Sequence, residues 1–266
     1  FMIDALRYEL GVALERQLTE DGQVEVQAAM AQLPSITPVG MASLLPGAGQ
    51  QLRIKNDAQS LVPMLGDQVV DTVAKRMDVL RKKYGHRFEE GRLEDFVRGR
   101  FDFSPETDLL VLRAVEIDSH FENHPDTAPA EMTNALKRIR VAIHKLKDRG
   151  FHEVVIATDH GFFMNTHAGA GDVCGKPAGN WIGIHDRCAL GDGTRDGNHL
   201  VVSAEKMGIR GDFAKFAAPQ SLAAYRSGLL YYHGGISLQE CVVPVITMQL
   251  KASNQPTLHK ASVTMS

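Results

Sequence analysis

Four apolar runs of this chain end abruptly on a side chain that can bind metal. Three of the runs end on an aspartate and the fourth on a histidine, and these residues are Asp4, Asp118, Asp159 and His233. Uninterrupted apolar runs of this kind predict buried strands. In an open α/β sheet, ligands bind beyond the carboxyl ends of the strands, so we expect the four side chains to meet at one edge of one sheet.

The runs alternate with amphipathic segments, and this order predicts an α/β fold with a mostly parallel sheet covered on both faces. The clearest predicted helix spans residues 129–149, with apolar side chains spaced three and four apart along one face. Residues 60–98 are charged and are predicted to be mostly helical, with a break near Gly85. Further strands are predicted at 24–30, 52–55, 154–158, 199–204 and 241–250. A helix is predicted at 5–17, and a short helix that ends at Leu45 follows the turn at 33–38.

Domain organisation is suggested by one long glycine-rich stretch at 165–198, which is predicted to be irregular. Connections longer than about 15 residues are uncommon in compact domains and are usually functional or disordered. We therefore interpret 165–198 as a lid or substrate-side insertion, with a plain surface loop as the alternative. Residues 251–266 are expected to form an exit segment, and Phe1 ahead of Met2 inside a predicted strand suggests a chain cut from a longer protein.

Composition narrows the class of protein. The 266 residues suffice for one large domain with a sizeable core. The 29 basic and 32 acidic residues give a net charge of −3, so no global field directs the chain to nucleic acid or membrane. No apolar run approaches the roughly 20 residues that span a bilayer. The three cysteines leave one unpaired in any disulfide scheme, which favours a reduced, cytoplasmic setting.

Each strand-end residue also has a purely structural interpretation. Asp4 and Asp118 precede predicted helices and would serve as N-caps, and His233 would be a buried structural histidine. Asp159 is harder to explain in this way, because His160 follows it and an adjacent Asp–His pair can direct two ligands at one ion. The recurrence of such residues at four predicted strand ends favours metal binding.

Thr37 is the most informative hydroxyl in the chain. Its place before Pro38 is typical of a helix N-cap. The same position lies at the positive end of the helix dipole, where backbone N–H groups favour an anion. A divalent ion beside the hydroxyl would lower its pKa and make it a nucleophile, so cap and nucleophile both remain open.

Four motifs follow one another along residues 1–250: FMIDALRYEL at 1–10, LPSITP at 33–38, TDHGF at 158–162 and HGGISLQE at 233–240. Together they resemble a PglZ domain, a member of the alkaline phosphatase superfamily that is best known from BREX phage-defence systems. The resemblance implies a single catalytic domain over 1–250 with an alkaline phosphatase-like fold, a three-layer α/β sandwich.

The resemblance also implies two divalent metal ions and a role for each motif residue. The first ion would be held by Asp4, Thr37, Asp159 and His160, with Thr37 as the nucleophile. The second would be held by Asp118 and His233 together with a third ligand. Zinc is expected for the pair, with Mn²⁺ or Mg²⁺ as alternatives.

The third ligand of the second ion departs from the family pattern. Superfamily members usually carry a histidine four residues after the aspartate that matches Asp118. Here that position is Glu122, and His120 is offset by two residues. We favour Glu122, because a spacing of four returns to the same face if a helical turn begins at Asp118.

The function that the resemblance implies is a metal-dependent phosphodiesterase or nuclease that cleaves phosphate esters of nucleotides or nucleic acid through a phosphothreonine. A sulfatase is not expected, because no Cys/Ser-x-Pro-x-Arg motif is present. Arg7 and Arg187 are candidate phosphate-binding residues by charge alone. Two basic stretches, 75–87 and 137–149, either contact a nucleic-acid backbone or form solvated helix faces.

The expected partners are a phosphodiester substrate and other BREX proteins such as the adenine methyltransferase, without a membrane. The alternative function is a metal-binding scaffold of a phage-defence complex with little or no catalysis. The two functions differ in whether the hydroxyl of Thr37 is needed.

Overall fold

The computed structural model describes residues 1–58, 60–124, 127–165, 173–226 and 230–250. The strands are β1 (Met2–Ile3), β2 (Gly22–Met30), β3 (Leu52–Asp57), β4 (Ser60–Leu65), β5 (Gln68–Val69), β6 (Phe88–Arg92), β7 (Leu109–Ala114), β8 (Glu153–Thr158), β9 (Phe163–Met164), β10 (Gly179–Ile184), β11 (Ala189–Gly193), β12 (His199–Ser203), β13 (Lys215–Pro219), β14 (Tyr231–Tyr232) and β15 (Val242–Leu250). The helices are α1 (Tyr8–Leu18), α2 (Thr37–Ser43), α3 (Ala48–Gln51), α4 (Val73–Tyr84), α5 (Leu93–Val97), α6 (Glu116–Asn123), α7 (Ala128–Asp148) and α8 (Leu238–Cys241), with 3₁₀ turns at Gly85–Arg87 and Glu205–Met207.

A six-stranded sheet in the order β2-β15-β8-β1-β7-β6 organises the molecule. The short strand β1 pairs in parallel with both β7 and β8, and β6 pairs in parallel with β7. Strand β15 runs antiparallel to both of its neighbours, β8 and β2. All strands of this sheet except β15 therefore point the same way, which confirms the predicted α/β class and mostly parallel sheet.

Alternate side chains of the central strands pack into cores on opposite faces of this sheet. Ile3 and Leu112 pack with apolar residues of α1, α5, α6 and α7. Met2 and Val111 pack instead with residues of α2 and α4. The helical layers on the two faces make the three-layer sandwich that the strand–helix alternation predicts.

A second, antiparallel sheet in the order β10-β11-β13-β12 lies beside the main one. Its residues Leu190 and Phe216 join a third core that also contains Val39 of α2 and Ile54 of β3. The prediction that 165–198 is irregular is wrong for β10 and β11, because Trp181 and its neighbours pair across the sheet and Trp181 is buried. Residues 166–172 of the predicted lid lie outside the described residues.

One other prediction, for residues 60–98, differs in part from the structure. The stretch 60–98 contains α4 and α5 and breaks at Gly85, as predicted, but it also contains β4, β5 and β6. These strands form because pairing with β3 and β7 satisfies their backbones, which outweighs the helical preference of a charged segment. Leu229 and the predicted exit segment 251–266 lie outside the described residues.

The structure also moves one candidate residue from a strand end to a helix. Strand β7 ends at Ala114, and Asp118 lies in the first turn of α6.

Among the described residues, no helix has both the length and the apolar character required to cross a bilayer.

Substituting Gly211 is expected to destabilise the contact between β3 and the segment that joins β12 to β13. Gly211 has a φ of +133°, and a Cβ there would lie 1.9 Å from the Ile54 carbonyl oxygen of β3. We expect Gly211→Ala to lower the free energy of unfolding by at least about 1–3 kcal/mol, the usual cost of such backbone strain. Urea denaturation measures the change. Gly49→Ala is the control, since no atom lies within 4 Å of the added Cβ, and equal stability of the two variants would contradict the expectation.

Candidate metal centre

Asp4 lies directly beyond β1, at the carboxyl edge of the main sheet. Its backbone N–H donates to the Ala114 carbonyl at 2.8 Å, which continues the pairing with β7. The next residue, Ala5, has a φ of +59°, so the chain turns sharply after the aspartate. Asp4 does not cap α1, whose N-cap is Arg7. Its carboxylate is therefore buried at the strand end for another reason.

Asp159 lies beside Asp4, one strand away at the end of β8. Its Oδ1 accepts hydrogen bonds from the backbone N–H groups of Ala5 at 3.1 Å and His160 at 2.9 Å. Among the described residues, its Oδ2 has no hydrogen-bond partner, and neither has Oδ1 of Asp4, although both atoms are buried. Buried polar atoms are nearly always paired, so two unpaired carboxylate oxygens at one sheet edge fit the binding of a cation.

His160 is oriented toward these free oxygens. Its Nδ1 lies 2.9 Å from the Gly161 carbonyl, to which it donates, and this fixes Nε2 as the free nitrogen. Nε2 lies 3.7 Å from Oδ1 of Asp4 and 3.4 Å from Oδ2 of Asp159. The three ligand atoms of Asp4, Asp159 and His160 are all within 4.8 Å of one another.

Thr37 completes this first group from the other side. It is the first residue of α2, and its Oγ1 lies 3.2 Å from Nε2 of His160. The N-cap position belongs to Ile36, so the hydroxyl does not cap the helix. Gly40 lets α2 approach so closely, because a Cβ there would lie 2.7 Å from the Asp159 side chain. The hydroxyl, two carboxylates and one imidazole thus converge on one point.

A second group forms around Asp118 and His233. Nδ1 of His233 donates to the Ser35 carbonyl at 3.0 Å, which leaves Nε2 free, 3.9 Å from Oδ1 of Asp118. The hydroxyl of Tyr231 donates to the same Asp118 oxygen at 2.5 Å. The His160 and His233 rings stack at 4.3 Å, so Asp118, His160 and His233 also bring ligand atoms within 4.8 Å of one another. Carboxylate and imidazole donors fit Zn²⁺ or Mn²⁺ in both groups.

The two candidates for the third ligand of this second group both lie on α6. Glu122 lies one turn beyond Asp118 on α6 and is exposed. Partial burial of the carboxyl group, followed by the charge of Asp118, raises the pKa of Glu122. His120 faces elsewhere, with Nε2 3.3 Å from the Thr127 hydroxyl and its ring packed on His124. Among the described residues, neither candidate ligand group includes Glu122 or His120, so Glu122 as the third ligand stays a prediction.

His185 is a neighbour of the site that the motifs did not assign. Its ring lies 4.8 Å from that of His233, and its buried Nδ1 has no hydrogen-bond partner in the part of the chain that the structure describes. Burial lowers its pKa, as it lowers that of His233 well below the usual value. In the sequence, His185 is simply one residue of the predicted lid at 165–198. Its proximity to His233 depends on the β10–β11 hairpin, which the sequence did not predict.

The two arginines predicted to bind phosphate are engaged elsewhere. Arg187 is 2% exposed, and its Nε donates to both oxygens of Glu240 at 3.0 and 3.1 Å. Arg7 pairs with Glu9 and lies over the ring of Phe162. Among the described contacts, neither guanidinium pairs with Asp4, Asp118 or Asp159, so the structure gives no support to the prediction that they bind phosphate.

Arg76, which the sequence motifs did not assign, is a buried arginine near Asp4 and Thr37. It lines a cavity of about 70 Å³ together with Asp4 and Thr37, and the side chain is buried. Burial lowers its pKa, while the charges of Asp159 and Asp4 oppose that effect. In the sequence Arg76 is one of several basic residues of a helix, and only packing distinguishes it from its solvated neighbours.

The cluster of carboxylates has a clear electrostatic consequence. Burial, followed by the charges of Asp159 and Asp118, raises the pKa of Asp4 well above its usual value. The pKa of Asp118 is also raised, mainly by burial, although the Tyr231 hydrogen bond opposes the shift. The site without a cation therefore favours protons on these groups, and cation binding would displace them.

Comparison with known proteins connects this site to a family. The profile of the BREX system PglZ alkaline phosphatase-like domain matches residues 1–248. The chain is 27% identical over 278 residues to the alkaline phosphatase-like protein BrxZ of Escherichia coli O9:H4 (strain HS), and the match covers 97% of this chain and 30% of that protein. It is 28% identical over 271 residues to the alkaline phosphatase-like protein PglZ of Bacillus cereus (strain H3081.97), covering 91% of this chain and 29% of that protein. The chain thus spans less than a third of the length of these relatives.

Solved structures show the same fold at low sequence identity. Murine ectonucleotide pyrophosphatase/phosphodiesterase 5 matches with a TM-score of 0.63 and 11% identity, over 93% of this chain and 87% of that one. Phosphonoacetate hydrolase from Sinorhizobium meliloti 1021 matches with a TM-score of 0.56 and 14% identity, over 98% and 91%. An inactive threonine-to-alanine variant of the murine protein in complex with AMP matches with a TM-score of 0.58 and 11% identity, over 93% and 87%. The predicted alkaline phosphatase-like fold is confirmed.

Asp4→Asn is expected to stabilise the metal-free protein at pH 8 and to weaken its response to metal. The usual pKa of 3.8 is raised on folding, so wild type loses stability as pH rises from about 4 through the raised pKa. The variant lacks this loss, and at pH 8 we expect a gain on the order of 1–3 kcal/mol, the cost of an unsatisfied buried polar group.

Urea denaturation after chelation, at pH 5 and pH 8 and with or without added Zn²⁺, measures both effects. Zn²⁺ should stabilise wild type more at pH 8 than at pH 5, because protons compete for the same oxygens. The exposed Asp67→Asn serves as the control. A metal-free Asp4→Asn protein less stable than wild type at pH 8 would refute this account of the site.

Proposed function

The chain belongs to the PglZ alkaline phosphatase-like family of BREX systems, and from this membership we propose that it is a metal-dependent phosphodiesterase of bacteriophage defence with Thr37 as its nucleophile. The observation that carries the proposal is the position of the Thr37 hydroxyl. It lies 3.2 Å from His160, beside carboxylate oxygens of Asp4 and Asp159 that have no partner. The proposed substrates are phosphate esters of nucleotides or nucleic acid.

The donor groups described above suit two divalent ions, with zinc as the first choice and Mn²⁺ or Mg²⁺ as alternatives. We assign Asp4, Thr37, Asp159 and His160 to one ion, and Asp118, Glu122 and His233 to the other. When bound, such ions supply Lewis acidity that lowers the pKa of a hydroxyl and offsets the charge of a phosphoryl group. The positive charge of such ions would also offset the unpaired carboxylate oxygens of Asp4 and Asp159 at the carboxyl edge of the main sheet.

The residues of the chain contribute orientation and a nucleophile. Thr37 is held at the start of α2, where backbone N–H groups and the helix dipole favour a phosphoryl group, although α2 is only one to two turns long. Its Oγ1 would attack phosphorus, forming the Oγ–P bond as the bond to the leaving alcohol breaks. Water would then cleave the phosphothreonine and regenerate the hydroxyl. The hydrogen bonds of His160 and His233 to backbone carbonyls keep both imidazoles in place throughout.

The similar structures support phosphorus chemistry without specifying the substrate. One is an ectonucleotide pyrophosphatase/phosphodiesterase and another a phosphonoacetate hydrolase, and both share only the fold with this chain. The variant of the murine phosphodiesterase described as inactive has a threonine replaced by alanine, which supports a threonine nucleophile here. Other BREX proteins, including the adenine methyltransferase, are the proposed partners.

Thr37→Ala is expected to abolish hydrolysis of bis-p-nitrophenyl phosphate while metal remains bound. Loss of the nucleophile should lower kcat by more than about 10³-fold, because the other groups only bind and polarise the phosphate. Thr37→Ser retains the hydroxyl and should keep measurable turnover. Metal content is determined on the same samples by mass spectrometry.

The same variants separate the enzyme from the scaffold. A scaffold needs the metals for its shape but not the hydroxyl, so Thr37→Ala would keep phage resistance in cells that carry the full-length protein. Metal-replete Thr37→Ala with wild-type turnover would exclude Thr37 as the nucleophile. Wild type that binds metal but hydrolyses neither this probe nor a dinucleotide or single-stranded oligonucleotide would favour the scaffold.

Arg76→Gln is expected to weaken substrate binding, because Arg76 is the buried cation beside Thr37 and Asp4. Loss of one charged hydrogen bond, worth about 1.5–3 kcal/mol, should raise KM by about 10- to 150-fold. Lys75→Ala is the matched control, since Lys75 is the adjacent residue, is exposed and pairs with Asp71. Arg76→Lys tests whether charge alone suffices if Arg76→Gln fails to fold, and a folded Arg76→Gln enzyme with unchanged KM would remove Arg76 from the substrate site.

A further inference from the structure

A second set of reactive side chains lies on the antiparallel sheet and shares no residue with the metal-binding groups. Sγ of Cys174 lies 3.8 Å from Nε2 of His199, and Nδ1 of His199 lies 2.7 Å from Oδ1 of Asp196. A thiol, an imidazole and a carboxylate are thus joined in that order. Cys174, Asp196 and His199 belong to none of the motifs found in the sequence, and the fold brings the three residues together.

The carboxylate is held rigidly and fixes the imidazole. Oδ1 of Asp196 accepts hydrogen bonds from the backbone N–H groups of Asn198 at 2.8 Å and His199 at 3.0 Å, in addition to the ring. The hydrogen bond to His199 lowers the pKa of Asp196, so the carboxylate is ionised at neutral pH. Since an ionised carboxylate only accepts, Nδ1 of His199 carries a proton and donates it. In the neutral ring Nε2 is then a free acceptor that faces the sulfur.

The imidazole cannot easily turn away from this position. His199 is 2% exposed, pairs with Pro219 across β12 and β13, and stacks on the ring of Tyr225 at 5.7 Å. The Tyr225 hydroxyl is buried and has no hydrogen-bond partner among the described residues, and it is close enough for the Cys174 sulfur to affect its pKa. An unpaired donor next to the thiol is a further polar group available to a bound molecule.

The thiol is also accessible, which distinguishes it from the other two cysteines. Cys174 is half-buried and lines a cavity of about 540 Å³. The cavity wall is uncharged and includes Gly175, Gly197, Asn198, Gln220 and Ser221. Cys188 and Cys241 are buried in the third core, and burial raises the pKa of the Cys241 thiol to about 12.

We propose that Cys174, His199 and Asp196 form a second reactive centre, in which Cys174 accepts acyl groups from small uncharged esters or thioesters. His199 would take the thiol proton at Nε2 as sulfur attacks the carbonyl carbon. The C–S bond forms as the bond to the leaving alcohol or thiol breaks, and that group takes the proton from His199. The product is an S-acyl cysteine, with no change in oxidation state.

General-base activation fits the surroundings of the sulfur better than a standing thiolate. Burial raises the pKa of the Cys174 thiol; the charge of Arg187 opposes this shift, and the charge of Asp196 adds to it. A thiol in this environment reacts when its proton is removed during attack, which is the role of a correctly oriented imidazole. Asp196 acts through His199 and is a positioning residue.

The test is the reaction of the full chain with p-nitrophenyl acetate after chelation of metals. We expect stoichiometric release of p-nitrophenolate, one acetyl group located on Cys174 by peptide mass spectrometry, and a rate per thiol above that of glutathione. His199→Gln should lower this rate about 10²-fold, the usual contribution of general-base catalysis. Cys174→Ala should remove the acetyl group.

Two controls make the outcome decisive. Exposed His86→Gln should acetylate at the wild-type rate, while chelation, which inactivates the proposed metal-dependent phosphodiesterase, separates this centre from it. Melting temperatures show whether His199→Gln is folded; if it is not, the comparison of wild type with glutathione decides alone. Acetylation elsewhere than Cys174, a Cys174 rate no higher than that of glutathione, or an unchanged rate in folded His199→Gln would overturn the proposal.

Discussion

Two buried carboxylates that face each other without a donor between them are the constraint on which the rest of the site depends. Asp4 and Asp159 each direct one oxygen into a space where the described residues offer no hydrogen bond. Burying unpaired charge costs several kcal/mol, so the arrangement persists only if the strands are held firmly and a proton or a cation offsets the charge. The other Asp159 oxygen provides part of that support, because it bonds the backbone N–H groups of Ala5 and His160 and ties the ends of β1 and β8 together.

Close backbone approach at two glycines brings the remaining ligands to this edge. A Cβ at Gly40 would lie 2.7 Å from Asp159, and a Cβ at Gly161 would lie 2.1 Å from the Gln239 carbonyl. The first contact sets α2, and with it Thr37, against the end of β8. The second sets the α8 segment, which follows His233 in sequence, against the residue after His160. The geometry of the ligands is therefore a consequence of how two segments pack on one strand end.

The parts of the fold that the sequence predicted are those in which local pattern and tertiary role agree. Helix α7 has a mostly apolar buried face, and β8 and β15 are mostly apolar, so the local pattern was sufficient to predict them. The hairpin of β10 and β11 is rich in glycine, and its pairing partner β13 lies more than twenty residues away, so no local signal marked it. Asp118 was assigned to a strand end because the apolar run continues past Ala114 into the first turn of α6.

The same reasoning explains which site residues were predictable. Asp159 and His160 adjoin in sequence and carry their signal together, whereas Arg187 and Glu240 pair across 53 positions. An arginine that is neutralised by a distant glutamate cannot be distinguished in the sequence from one that is free to bind phosphate. Arg76 presents the converse case, since its burial beside Asp4 depends on how α4 packs against the sheet.

Metal binding and catalysis make different demands on these residues, and the difference bears on the choice between enzyme and scaffold. A scaffold that used no metal would be more stable if Asp4 were an amide, because the neutral side chain avoids the repulsion that raises the Asp4 pKa. The carboxylates therefore favour a site that holds cations, but they do not favour turnover over assembly. Thr37 does, because a hydroxyl that neither caps α2 nor lies in the core contributes little to stability where it is. Its contact with His160 at the carboxylate cluster is the feature that the proposed role as nucleophile explains.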